Sequence, residues 1–261
     1  MRKFNPLQAL AASFYSKALY QDVGRGWTGA GLGYLALLAG IASLFAAAQI
    51  HVAVQKFCTE AAPPIIFQIP EIVITKGELS TPEKKPYFIK EPGTDAVIAI
   101  IDASKKEIPA QWEGGARVFV GKTKIAAIKS DAEMRVYDLS GIDGFTLNQQ
   151  MLIRWLDRLA GWMVPVLLPF LYIGFYIVWL VRTLITSLAT VLAAKAMKID
   201  MTYQTAFRLT VVAMTPALFL GLLVGVTGIP FPRSVLLLTR IGFVFFGLNA
   251  LKMAGGQEAQ A

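Results

Sequence analysis

Apolar positions fall along this chain in two regimes, long unbroken runs at either end and short runs interrupted by polar residues in the middle. Arg25 and Lys56 bracket thirty residues without a full charge, more than the about 20 apolar residues a helix needs to cross a bilayer. Further uncharged runs cover 159–181, 209–228 and, apart from Arg240, 234–251. The pattern predicts a membrane α-helical bundle of four transmembrane helices with a small β-rich extracytoplasmic domain inserted after the first. The expected division is a cytoplasmic amphipathic helix over 1–26, the first transmembrane helix over 27–54 and the β-rich domain over 55–150. Three transmembrane helices with a cytoplasmic loop follow over 151–253, then a cytoplasmic tail over 254–261.

Within those segments the local signals are specific. Asn5 can cap a helix whose first position is Pro6. Leu7, Leu10, Ala11, Phe14 and Ala18 then recur at helical spacing. One amphipathic helix ending before Gly24 is predicted, lying in the headgroup region or packed on the cytoplasmic ends of the spans. In the first span, over 27–50, Gly29, Gly33, Ala36, Gly40, Ser43 and Ala47 form a stripe of small residues. Ala213, Ala217, Gly221 and Gly225 form a second in the third span, where small residues let helix backbones approach closely.

Strands are predicted at 65–69, 71–75, 87–90, 96–102, 117–120, 124–129 and 134–139. Hairpin turns are predicted at Glu91-Pro92-Gly93-Thr94 and Gly121-Lys122. The second hydrophobic run keeps helical character to Ala194, and 36 residues from Leu159 would extend roughly 54 Å. Its inner end must therefore leave the hydrocarbon. Pro165 and Pro169 near its outer end, and Pro216 in the third span, are candidate hinges. Arg154, Trp155, Arg158 and Trp162 suit the interface on the domain side. The turn Ile229-Pro230-Phe231-Pro232-Arg233 is short enough to force the last two helices antiparallel.

Charge adds orientation. The chain is 55% hydrophobic and 16% charged with a net +8. The segment 54–150 holds 12 Lys and Arg against 13 Asp and Glu, a net of −1, which leaves +9 for the remainder. Arg2, Lys3, Lys17 and Arg25 precede the first span; Arg182, Lys195, Lys198 and Arg208 separate the second from the third; Lys252 ends the fourth. The excess of Lys and Arg predicts that the N-terminus, that loop and the C-terminus are cytoplasmic in a multi-pass protein of the bacterial inner membrane. The first run, 26 residues in and without a cleavage site of the usual kind, is expected to stay as a signal anchor. Charge beside spans fits anionic lipid, so nucleic acid is not an expected partner.

Candidate chemistry is sparse. Arg240 is the one full charge inside a span, with eleven uncharged residues between it and Lys252. Such a residue either faces a cavity or partner or snorkels to the headgroups, and here about two helical turns separate it from the outer end. Thr239 and Asn249 read as helix-contact residues. The single histidine, His51, and single cysteine, Cys58, have no third group at a telling spacing. Asp131 and Glu133 sit in a turn, and Gly114-Gly115 precedes no phosphate-binding helix. No catalytic, cofactor or metal residue is predicted.

One resemblance emerges from Ile69-Pro70-Glu71-Ile72, Lys76-Gly77-Glu78-Leu79-Ser80, Pro86-Tyr87-Phe88-Ile89, Ile100-Ile101-Asp102, Tyr137-Asp138-Leu139-Ser140 and Thr215-Pro216. In this order they resemble a bacterial integral membrane family filed as a domain of unknown function, some of whose members carry the label maltodextrin-utilisation membrane protein. The helical half is also similar, more loosely, to Yip-type membrane proteins, whose bundles serve trafficking and partner binding. Where the family commonly has a hydroxyl residue after Asp102, this chain has Ala103. The resemblance implies no catalytic residues, and the maltodextrin label reads as operon context. The expected function is therefore non-enzymatic: an accessory, scaffold or sensor subunit that binds a partner or ligand through its exported domain and bundle. Its expected partners are the lipid bilayer and another membrane protein or a second copy of itself. The alternative is an oligomeric transporter or channel component, and an enzyme on lipid or cell-wall precursors ranks third.

Overall fold

The computed structural model describes residues 3–27, 29–109, 112, 115–130, 133–229 and 232–258. Gly114, Asp131, Pro230 and Phe231 lie outside them. Two compact units are present, one of residues 1–49 with 166–261 and one of residues 50–165.

The first unit begins as the sequence dictates. Asn5 caps α1 (Pro6–Ala12) in a reciprocal capping box with Gln8. The single amphipathic helix expected here is instead two. Ser13 turns its hydroxyl back to Leu10 O, and Ser16 accepts from Leu19 N to cap α2 (Lys17–Arg25), which runs on through Gly24. Two serines with a preference for caps over helix interiors account for the break. Nor does α2 float at a surface, since Leu19, Tyr20 and Val23 are fully buried in the helical core with Trp27, Leu209 and Val212.

Asp22 ties this entry region together. Its buried carboxylate accepts from Lys3 N (3.0 Å), Phe4 N (3.1 Å) and Trp27 Nε1 (3.1 Å). An acceptor removed from one buried and two partly buried donors at once costs about 2–4 kcal/mol, so Asp22→Ala is expected to lower detergent-solubilised thermal stability sharply. Asp22→Asn keeps one oxygen and should lose roughly half as much; equal losses would show that acceptance by this oxygen is not what matters.

Among the described residues, four helices are long and apolar enough to cross a membrane. The first is α3 (Ala30–Lys56), which continues through a π-turn at Phe57–Ala61 into the short α4 (Pro63–Ile66). Of the others, α5 spans Gln149–Ala196, α6 Tyr203–Thr227 and α7 Arg233–Glu258. Half of the most apolar window of α6 is buried within the chain, against 6% for α5, so α6 is the packed centre and α5 shows its apolar residues outward. Inside the bundle, hydroxyls satisfy one another or the backbone: Tyr34 Oη lies 2.8 Å from Thr215 Oγ1, and Thr190 Oγ1 lies 2.9 Å from Thr210 Oγ1. Left unpaired in an apolar interior, each would cost free energy.

The second unit carries two sheets. β1 (Ile72–Thr75) pairs antiparallel with β2 (Glu78–Ser80) on one side and β8 (Phe145–Leu147) on the other. A five-stranded sheet runs in the order β3 (Tyr87–Lys90), β4 (Val97–Ile101), β5 (Val118–Val120), β6 (Lys124–Ser130), β7 (Glu133–Asp138). Its β4–β5 pair is parallel and the rest antiparallel. Both expected hairpins form, with Gly93 at φ +82° and Thr94 N donating to Glu91 O. The strand expected at 65–69 is instead α4 and a following turn. Pro63 and Pro64 favour the first helical turn over a ladder they cannot donate to.

The apolar run of β4 is explained by burial on both faces. Ile101 joins Ile72, Ile74, Leu79, Ile89 and Leu139 in one cluster, and adjacent Ile100 joins Ala116, Phe119 and Ala126 in another. Successive strand residues point to opposite faces, so an unbroken hydrophobic run is what a doubly covered strand needs.

Candidate functional site

Three helices of the first unit leave a cavity of about 160 Å³ between them. From α7 it takes Leu237, Arg240, Ile241, Val244 and Phe245; from α5, Arg182, Thr186, Ala189, Thr190 and Ala193; from α6, Thr210, Ala213 and Met214. Each set recurs at three- and four-residue steps, so each helix contributes one face. The space exists because α5 and α6 present mainly Ala and Thr there, side chains too short to fill it.

Among the described residues two guanidinium groups line this cavity, and no carboxylate does. The Nε of Arg240 is buried with no hydrogen-bond partner. The threonines are already engaged: Thr186 Oγ1 donates to Arg182 O at 2.9 Å and Thr190 Oγ1 contacts Thr210. The arrangement can hold an anion, and none of its described lining residues is a base that could move a proton.

Arg240 was legible as a candidate from its lone charge in a span. Arg182 is not, because it stands with the basic residues between the second and third spans, although α5 continues fourteen residues beyond it, in line with the helical character expected to Ala194. The signal was present in the helical periodicity that reaches Ala194. Thr239 bonds its own helix at Val235 O, and Asn249 is exposed. Pro165, Pro169 and Pro216 all lie within continuous helix, and the two compact units divide α5 between Pro165 and Val166.

The small-residue stripes divide. Ala213 and Ala217 are buried, and a Cβ on Gly225 would lie 3.0 Å from Phe45. On Gly40 it would make an ordinary 3.9 Å contact with Tyr172, and on Gly29, Gly33 or Gly221 it would meet nothing within 4 Å. Gly29 instead opens α3 at φ +63°. Among the described glycines of the helical unit, the tightest approaches are outside those stripes: Gly24 against Leu251 and Gly247 against Tyr20.

Two further hollows are cation-rich. One of about 700 Å³ in the first unit gathers Arg25, Lys198 and Lys252 with Asp200. The other, about 500 Å³ in the second unit, is lined by Lys84, Lys106, Lys122, Glu78, Ser80 and Ser104 among others. There Lys122 Nζ lies 2.8 Å from Glu78, and this hydrogen bond with its positive charge holds the Glu78 carboxyl below its ordinary range. His51 is exposed on α3, and Cys58 is half-buried with Sγ 4.0 Å from Leu156 O.

Residues 7–249 match the family described as protein of unknown function (DUF1189). The chain belongs to that family. No curated protein and no solved structure matches it. The segments on which the resemblance rests are structural junctions. Gly77 stands at φ +78° against the backbone of Ser140, Leu79 N donates to Lys122 O, and Thr215 meets Tyr34. Asp102 Oδ1 accepts from Ser104 N and Oγ.

Proposed function

We propose that this DUF1189 protein is a non-enzymatic, multi-pass protein of the bacterial inner membrane, an accessory or sensor subunit whose work is binding. The observation that carries the reading is the pair Arg182 and Arg240 on one bundle cavity: cations without a base suit recognition of an anion better than turnover. The cation-rich hollow of the β unit supports a second contact on the exported side. Orientation is supported by Arg25, Lys198 and Lys252 lining one hollow, which joins the three basic segments at one end of the bundle.

Orientation is tested in a Cys58→Ser background. A membrane-impermeant maleimide on intact cells should label Ser104→Cys and leave Lys198→Cys unlabelled until lysis; the reverse would overturn the topology.

The second reading, a transporter or channel component, is favoured by the same cavity together with Pro216 inside α6. Proteoliposomes separate the two. The binding reading expects no anion flux above protein-free vesicles, and flux abolished by Arg240→Gln would replace it with transport.

A further inference from the structure

We infer that the cavity between α5, α6 and α7 holds the phosphate of an anionic membrane lipid, clamped between Arg182 and Arg240. This rests on the binding reading above and names its ligand. A guanidinium is not deprotonated in proteins, and a charge within an apolar helix is costly unless it is matched. Among the described residues no acidic side chain lines the cavity, so the matching charge comes from a ligand. The Nε of Arg240 is buried without a partner; a turn of the side chain toward the cavity satisfies it and brings the edge of the fork onto two oxygens of a phosphate at once.

Size and access decide the source. At about 160 Å³ the cavity falls below the roughly 300–1,000 Å³ of sites that enclose a whole small molecule. A headgroup phosphate fits where an entire metabolite does not. The cavity wall includes Leu237, Ile241 and Phe245, all substantially exposed apolar side chains of α7. Acyl chains can lie along them, whereas a hydrated free phosphate would have to pass them.

The full-length protein, purified in a neutral detergent, is mixed with phosphatidylglycerol, phosphatidylcholine of the same acyl composition, or inorganic phosphate, and bound species are counted by native mass spectrometry. Wild type should retain phosphatidylglycerol about tenfold better than phosphatidylcholine, and Arg240→Gln or Arg182→Gln should each remove most of that preference. Arg240→Lys keeps the charge without the fork and should fall between. Arg158→Gln, outside the cavity, should match wild type. Equal retention of the two lipids by wild type would overturn the site even if every variant misfolded. So would Gln variants that fold normally, by size exclusion and circular dichroism, and still prefer phosphatidylglycerol. Inorganic phosphate binding that displaces the lipid would overturn the lipid source. Flux in proteoliposomes, in contrast, would overturn the binding reading without bearing on which lipid is retained.

Discussion

Gly247→Val is expected to undock α2 from the bundle and to be among the most damaging single changes in the helical unit. A Cβ at this position would lie 2.7 Å from Tyr20 Cδ1 and 3.2 Å from both methyls of Leu209. Tyr20 has nowhere to go. Its hydroxyl donates to Ser13 O at 2.8 Å, its ring meets Phe246 edge-on at 5.5 Å, and it is fully buried. Overpacking a filled core costs about 1–3 kcal/mol, and here the added bulk also separates the turn at Ser13 from α7. The comparison is Gly221→Ala, whose Cβ would meet nothing within 4 Å and which gains up to about 1 kcal/mol of helix propensity. In detergent, Gly247→Val should melt lower and become protease-sensitive near residues 13–16, while Gly221→Ala should melt at or above wild type. Similar melting of the two would mean that the α2–α7 contact contributes little.

That contrast marks how far the sequence could be read. Runs without charge located all four long helices because length and hydropathy alone decide that question. Which face of each helix packs is a different matter. The intervals of four and three that singled out Gly33, Gly40 and Gly221 are intrinsic to one helix, whereas close approach depends on the partner, and Tyr20 and Leu251 choose Gly247 and Gly24. In the β unit the strands with strong apolar runs are legible, the three-residue β5 (Val118-Phe119-Val120) included, whereas β2 (Glu78-Leu79-Ser80) and β8 (Phe145-Thr146-Leu147) are equally short and interrupted by polar residues, so no run registers. Both are made strands by β1 between them. Arg240 could be found because it breaks an uncharged run, but its companion Arg182 sits where the apolar run of α5 ends and looked like a boundary. Only the meeting of α5, α6 and α7 around one cavity turns that boundary residue into a cavity wall.

Gly77→Ala is expected to cost the β unit more than any other alanine substitution at its turns. The link from β1 to β2 places Lys76 at φ +52° and Gly77 at φ +78°, the two positive angles of the tight turn that suits the twist of paired strands. Lys76 is held there by its N–H to Asp143 Oδ1 (2.8 Å), and Gly77 N donates to Ile142 O (2.9 Å). A Cβ on Gly77 would lie 2.6 Å from Ser140 Cα and 3.1 Å from Leu139 O. These are backbone atoms, so no rotamer change relieves the clash, and the turn or the 139–143 loop must move. The left-handed angle alone costs about 1–2 kcal/mol, which Gly93→Ala isolates, because Gly93 has φ +82° and nothing within 4 Å of its Cβ position. Measured in the full-length protein by amide hydrogen exchange, Gly93→Ala should weaken protection modestly around β3 and β4. Gly77→Ala should lose about 3 kcal/mol or more of protection across β1, β2 and β8, since Leu79 and Leu139 share one core cluster. Equal losses at the two glycines would assign the whole effect to backbone angle and remove the Ser140 contact from the account.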